Sequence, residues 1–155
     1  MKGLIWFRND LRMDDNPALR NACIECEEVH AIYIFSSRQN NLHNEANCKI
    51  EFLIQNLKIL DQELSKINIP LTIIDSTGFK DNKDIVLNLI KERSINKVFW
   101  NNQFGNDEQN RDDDVTRSFK KNDIEFSSYH EKVMFPPGSI RTAEDKPYSV
   151  FTPFK

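Results

Sequence analysis

A chain of 155 residues with 39% hydrophobic and 29% charged side chains is long enough to bury one core and has the mixture of a globular domain, not of a disordered or fibrous one. Its 21 Lys plus Arg against 24 Asp plus Glu leave a formal charge of -3. This argues against a surface that grips DNA tightly on its own, because that grip rests on cationic side chains displacing counterions. No apolar run reaches the roughly 18 residues of a membrane span, and the apolar part of Met1–Phe7 is too short for a secretion signal, so a cytoplasmic chain with no membrane partner is expected.

In chain order, the first predicted strand is Lys2 to Phe7. Asp15-Asn16-Pro17 then starts a helix, with a side-chain cap followed by proline in the first turn. Val29 to Phe35 is almost wholly apolar and β-branched or aromatic, as in a strand covered on both faces. A long helix is predicted from Asn47 to Ile67, because Ile50, Leu53, Ile54, Leu57, Leu60, Leu64 and Ile67 recur at the spacing of one buried stripe. Pro70 closes it. Leu71 to Asp75 is a third strand, and Asp81 to Arg93 a helix with Ile85, Leu89 and Ile90 inward. Lys97 to Asn101 is a fourth strand, Asp107 to Lys121 a helix, and Ile124 to Ser128 a short fifth strand. From Glu131 the periodicity stops, and Pro136, Pro137, Pro147 and Pro153 mark an extended linker.

Strand and helix in strict alternation imply parallel pairing with right-handed crossovers. The expected architecture is a single α/β domain over residues 1–130, an open, doubly wound sheet of five parallel strands flanked by helices. Ligands of such sheets settle beyond the carboxyl ends of the strands, where strand order reverses. Polar residues just after strands one, two and four are therefore the functional candidates. The turn after the first strand has no glycine, so neither G-x-G-x-x-G nor a P-loop can form there. His30, His43 and His130 are scattered, and no nucleophile-plus-base set emerges. Cys23 and Cys26 have C-x-x-C spacing but no second ligand pair, so they are expected to be small helix residues rather than a zinc site. Asp112-Asp113-Asp114 are expected to be a solvated helix face, since adjacent helical residues do not converge on a metal.

Trp6-Phe7-Arg8-Asn9-Asp10-Leu11-Arg12-Met13-Asp14-Asp15-Asn16-Pro17-Ala18-Leu19 resembles the opening signature of the photolyase/cryptochrome family, W-F-R-x-D-L-R-x-x-D-N-x-A-L, at every fixed position. Pro136-Pro137-Gly138 and Tyr148-Ser149-Val150-Phe151-Thr152-Pro153-Phe154-Lys155 are similar to the family's path out of its N-terminal domain. The resemblance covers the whole chain and implies a Rossmann-like, antenna-binding domain, with residues 131–155 as the start of an interdomain linker. It also implies a C-terminal helical domain, absent from these residues, that binds FAD and damaged DNA. The parent would be a deoxyribodipyrimidine photolyase, a carbon–carbon lyase that uses blue light to split cyclobutane pyrimidine dimers. This fragment alone would be inactive and, by family, monomeric. A cryptochrome photoreceptor and a free-standing α/β ligand-binding module remain alternatives.

Members most like this chain carry a methenyltetrahydrofolate antenna. Arg38-Gln39-Asn40-Asn41-Leu42-His43-Asn44 is similar to their R-Q-x-x-x-H-N loop, which nominates His43 and Asn44. Asp107-Glu108 stands where the family sets an Asn-Glu pair against the pterin, with Asp107 in place of the asparagine. A carboxylate such as Glu108 can accept two parallel hydrogen bonds from a pterin's amide-like N–H and exocyclic amine, and a helix's first turn favours that charge. Arg8 completes the candidate set. Arg8, Asp10, Arg12 and Asp15 are also expected to brace their loop, arginine fork against carboxylate.

Overall fold

The structure, a computed structural model, describes residues 1–36, 45–76 and 78–151. Five strands, β1 (Lys2–Phe7), β2 (Glu28–Phe35), β3 (Leu71–Asp75), β4 (Lys97–Asn101) and β5 (Glu125–Tyr129), alternate with four helices among the described residues. These are α1 (Pro17–Glu25), α2 (Asn47–Lys66), α3 (Phe79–Arg93) and α4 (Asn106–Lys121). All strands pair in parallel in the order β3-β2-β1-β4-β5. Strand order reverses between β1 and β4, as expected of a doubly wound sheet.

Side chains alternate across β1 and divide the core in two. Ile5 and Phe7 join α1 and α2 through Leu19, Leu57, Leu60 and Leu64. Leu4 and Trp6 join α3 and α4 through Val86, Leu89, Val115 and Phe119. Asn16 caps α1 with Pro17 at its start, its side chain accepting from the Leu19 N–H. Close approach of the end of α1 to β1 requires glycine at position 3, where a Cβ would stand 2.7 Å from the Cys26 sulfur.

The predicted stripe of α2 is only half used. Leu57, Leu60 and Leu64 are buried, but Ile54 and Ile67 are exposed. The helix stands off the edge strand β3 and leaves an apolar groove of about 520 Å³ between Ile54, Leu57 and Lys58 on one side and Leu71 and Ile73 on the other. On α3, Val86 is buried with Leu89 and Ile90, whereas Ile85 is only partly covered. Beyond Tyr129 the described residues form turns and bends, with no helix or strand.

Candidate functional site

The loops leaving β1 and β4 are locked together by amides around one buried carboxylate. Asn101, 2% exposed, donates from Nδ2 to Asp10 Oδ2 at 2.6 Å and to Asn16 Oδ1 at 2.8 Å, while its Oδ1 accepts from the Ala18 N–H at 3.2 Å. Asp10 Oδ1 accepts from the Arg8 backbone N–H at 2.8 Å. The expected bracing of the loop by arginine forks on its own carboxylates is therefore corrected in its partners: asparagines satisfy Asp10, Arg8 turns inward to Asp112, and Arg12 holds the loop through a carbonyl and a more distant carboxylate. Arg12 donates to the Asp15 carbonyl at 2.8 Å and to Glu131 Oε2 at 2.6 Å, tying the segment after β5 to the first loop. The hydrogen bond to Glu131 raises the Arg12 pKa further above its ordinary range.

Arg8 continues the alternation of Leu4 and Trp6, so its side chain enters the layer of α3 and α4. It is 4% exposed. Its guanidinium carbon lies 4.3 Å from the Trp6 ring centroid and 5.4 Å from that of Trp100, within reach of cation–π attraction. Nη1 donates to Asp112 Oδ2 at 2.6 Å. Arg111 donates to the other Asp112 oxygen at 2.9 Å and to Gln103 at 3.0 Å. One carboxylate thus serves two buried cations. Burial, then repulsion from Arg111, pushes the Arg8 pKa down to about 10 even with Asp112 beside it. Asp112 is accordingly no solvated carboxylate, which corrects the expectation for that triplet; Asp113 and Asp114 are exposed as expected.

Above this cluster opens a cleft of about 80 Å³, lined by Trp6, Arg8, Tyr33, Asn82, Gln103, Glu108 and Arg111 among others. It lies at the carboxyl ends of β1, β2 and β4. The fold brings Arg8 and Glu108 together there. The Glu108 carboxylate folds back against Gly105, occupying space that a Cβ at 105 would need. Asp107 is exposed and does not line the cleft. His43 and Asn44 lie outside the described residues. Arg8 Nε and Nη2 and Asn82 Oδ1 are buried without a hydrogen-bond partner among the described residues. Burial pushes the Tyr33 phenol up to about 12, so it keeps its proton.

Asn82, Gln103, Arg111, Asp112 and Tyr33 were not nominated from sequence. For Arg111 a signal existed: Val115 and Phe119, four and eight positions on, are buried with it on one stripe of α4. Asn82 gave none, being a polar residue one position after the predicted start of a helix. The cysteines are unpaired, with Cys23 exposed and Cys26 buried at the end of α1, and burial raises both thiol pKa values. No cluster of three metal-ligating side chains occurs among the described residues, and none of their helices is long and apolar enough to cross a membrane. The groove beside β3 is larger than the cleft, but among the described residues neither Arg8, Asp107 nor Glu108 lines it and none of its lining side chains has an orphaned buried polar atom. The cleft at the strand ends is the chemically equipped site.

Fold and cleft define a parallel α/β domain whose switch point is lined by side chains instead of a glycine-rich phosphate loop. The profile of the DNA photolyase family matches residues 3–155, and the chain belongs to that family. It is 35% identical over 153 residues to the deoxyribodipyrimidine photo-lyase of Escherichia coli and 35% identical over 152 residues to that of Vibrio cholerae, matching 98% of this chain in each pairing. The chain spans 32% of the length of each of these relatives. The fold also matches a photolyase from Sulfolobus tokodaii, with a TM-score of 0.79 and 25% identity over 92% of this chain and 32% of that one. That photolyase was solved with two FAD molecules and taken to imply a novel light-harvesting cofactor.

Proposed function

We propose that this chain is the N-terminal light-harvesting domain of a deoxyribodipyrimidine photolyase, and that the protein it belongs to splits cyclobutane pyrimidine dimers in DNA under blue light. One observation carries the antenna role: a polar cleft at the switch point, with Glu108 at its rim and unpaired Arg8 donors inside. The residues suit a pterin or flavin ring. Glu108 can accept from ring N–H and amine groups, Arg8 can donate to a ring carbonyl, and protonated Tyr33 is a further neutral donor. A cavity that takes one benzene measures about 150 Å³, so a cleft of about 80 Å³ admits the edge of a fused ring, and the rest of the pigment lies across the mouth.

When bound, the pigment supplies absorption of near-ultraviolet light and passes the excitation to FAD. The chain's own residues hold and orient the ring and keep water from its inner edge. Methenyltetrahydrofolate is the favoured antenna, with His43 and Asn44 as further contacts. Residues 131–155 begin the linker to an FAD-binding domain, and damaged DNA is gripped there, consistent with the charge of -3 on this part. A monomeric, cytoplasmic protein follows from the same reading.

The test is to titrate the chain and its Glu108→Ala variant with methenyltetrahydrofolate and follow near-ultraviolet absorbance. Unsubstituted chain should bind, and the variant should lose about tenfold in affinity, the worth of one charge-assisted hydrogen bond. Equal affinity removes Glu108 from the site. Light-dependent loss of thymine dimers with the full-length protein tests the repair activity.

A further inference from the structure

We propose that His30 is a proton-operated catch: neutral, it fastens the end of α3 to strands β2 and β3, and protonated, it lets that end go. The catch stands at the amino ends of the strands, away from the cleft, and needs no pigment. Alternation along β2 puts His30 on the same face as Ile32, which packs in the layer of α3 and α4. Arg93, the last residue of α3, reaches the same place. Its Nη1 lies 3.0 Å from His30 Nδ1, and its Nη2 donates to Thr72 Oγ1 of β3 at 3.0 Å. On the other side of the imidazole, Nε2 is 2.8 Å from Glu28 Oε1, and Glu28 Oε2 is 3.0 Å from Lys2 Nζ of β1. The His30 side chain is 14% exposed, so these contacts, more than water, decide what its ring nitrogens do.

Chemistry allows one arrangement of protons here. A guanidinium carries N–H donors and no acceptor, so Nδ1 accepts from Arg93. A neutral imidazole has one acceptor and one donor nitrogen, so Nε2 carries the proton and donates to Glu28. Protonation fills the lone pair of Nδ1. The ring then turns an N–H toward the N–H of Arg93, cation against cation, and that bond is lost. Glu28 stays ionised beside the imidazolium, because the hydrogen bond from Lys2, then that from His30, holds its carboxyl below the usual range. The groups facing the ring are Glu28 on its own strand, Lys2 behind Glu28 on β1, Arg93 on α3 and the neutral Thr72 on β3. In acid, the one carboxylate among them faces Lys2, His30 and Arg93, all cationic. Glu28 bonds to Lys2 and His30, whereas among the described residues no carboxylate pairs with Arg93. Arg93 is therefore the group that leaves, and its bond to Thr72 goes with it.

The experiment measures what Arg93 contributes to folding on either side of the range, about pH 5 to 8, in which histidine ordinarily changes charge. The 155-residue chain and its Arg93→Met variant are unfolded in urea at both ends of that range, alone and in a His30→Asn background. Asparagine Oδ1 stands where the histidine Nδ1 does and accepts at either pH. At about pH 8, Arg93→Met should weaken the folding equilibrium about fivefold, the worth of one such hydrogen bond. At about pH 5 it should weaken it less than about twofold or strengthen it, because the bond is already gone. With His30→Asn in place, the effect of Arg93→Met should be the same at both values. Equal effects of Arg93→Met at the two values in the chain that keeps His30, or a pH difference that survives His30→Asn, overturn the catch. Nitrogen-15 NMR of the unsubstituted chain decides without any variant: on the alkaline side the His30 ring should be the Nε2–H tautomer, and an Nδ1–H tautomer overturns the proposal.

Discussion

Asp112→Asn removes the only carboxylate that bonds to the side chains of both Arg8 and Arg111 in the hydrogen bonds described for this cluster. Arg8 is 4% exposed, and the Asp112 side chain 15%. Removing one partner of a buried ion pair costs about 3–5 kcal/mol, because the other charge stays buried. The asparagine can still accept one hydrogen bond, which places the loss near the lower end. The direction of the Arg8 shift agrees: burial and Arg111 lower its pKa to about 10, and Asp112 is the partner that opposes them. For a chain of this size, a loss of about 3 kcal/mol lowers the thermal midpoint by about 10 °C. Arg8→Met should behave oppositely. It deletes the buried charge and two orphaned donors and leaves Asp112 paired with Arg111, so stability should stay within about 1 kcal/mol of the unsubstituted chain or exceed it. Thermal and urea unfolding followed by the fluorescence of Trp6 and Trp100, both beside Arg8, measure the two variants and their double mutant. A midpoint for Asp112→Asn within 2 °C of the unsubstituted chain, or a larger loss from Arg8→Met than from Asp112→Asn, would refute the desolvated-charge account of this cluster.

Asn101→Ala leaves the buried Asp10 carboxylate and the Asn16 cap short of donors and should cost about 3 kcal/mol in urea unfolding; a loss under about 1 kcal/mol would show that water replaces the amide. Gly3→Ala drives a methyl to 2.7 Å from the Cys26 sulfur and should cost about 1–3 kcal/mol as overpacking, partly recovered by adding Cys26→Ala. Tyr33 governs one alkaline effect. Folded chain holds its phenol proton to about pH 12, whereas unfolded chain releases it near pH 10. Its contribution to stability is complete below pH 10 and disappears as pH rises to about 12. Absorbance at 295 nm should show one phenol titrating at about 12 that Tyr33→Phe abolishes; a Tyr33 transition near pH 10 would mean that the ring is solvated.

The strands were legible because each is a short apolar run bounded by a breaker, and every predicted strand lies within one residue of its observed bounds. Helix faces were less so. Periodicity located the stripe of α2, but Ile54 and Ile67 remain exposed, because how much of a stripe is covered depends on tertiary packing that no local spacing encodes. At the site, strand-end position together with the family resemblance nominated Arg8 and Glu108, which share the cleft. The partners that give Arg8 its chemistry come from α4 and α3, more than 70 positions away. Counting charges in the first loop paired the arginines with Asp10 and Asp15, since sequence proximity favours local partners. The alternation of β1 points the other way: Leu4 and Trp6 face α3 and α4, and Arg8 follows them by parity.

The same parity explains why this switch point differs from a dinucleotide site. A phosphate loop needs glycine so that bare backbone N–H groups can surround an anion. Here the first loop places Asp10 where it accepts the Arg8 backbone N–H, and Asn101 joins that carboxylate to the start of α1. Those groups are already satisfied internally. What remains for a ligand is side-chain chemistry: a guanidinium fork flattened against Trp6, an amide carbonyl from α3, and a carboxylate in the first turn of α4. Fixed in direction and spread around a narrow opening, these are the groups through which the proposed antenna ring would be held, in place of the backbone N–H groups of a phosphate loop.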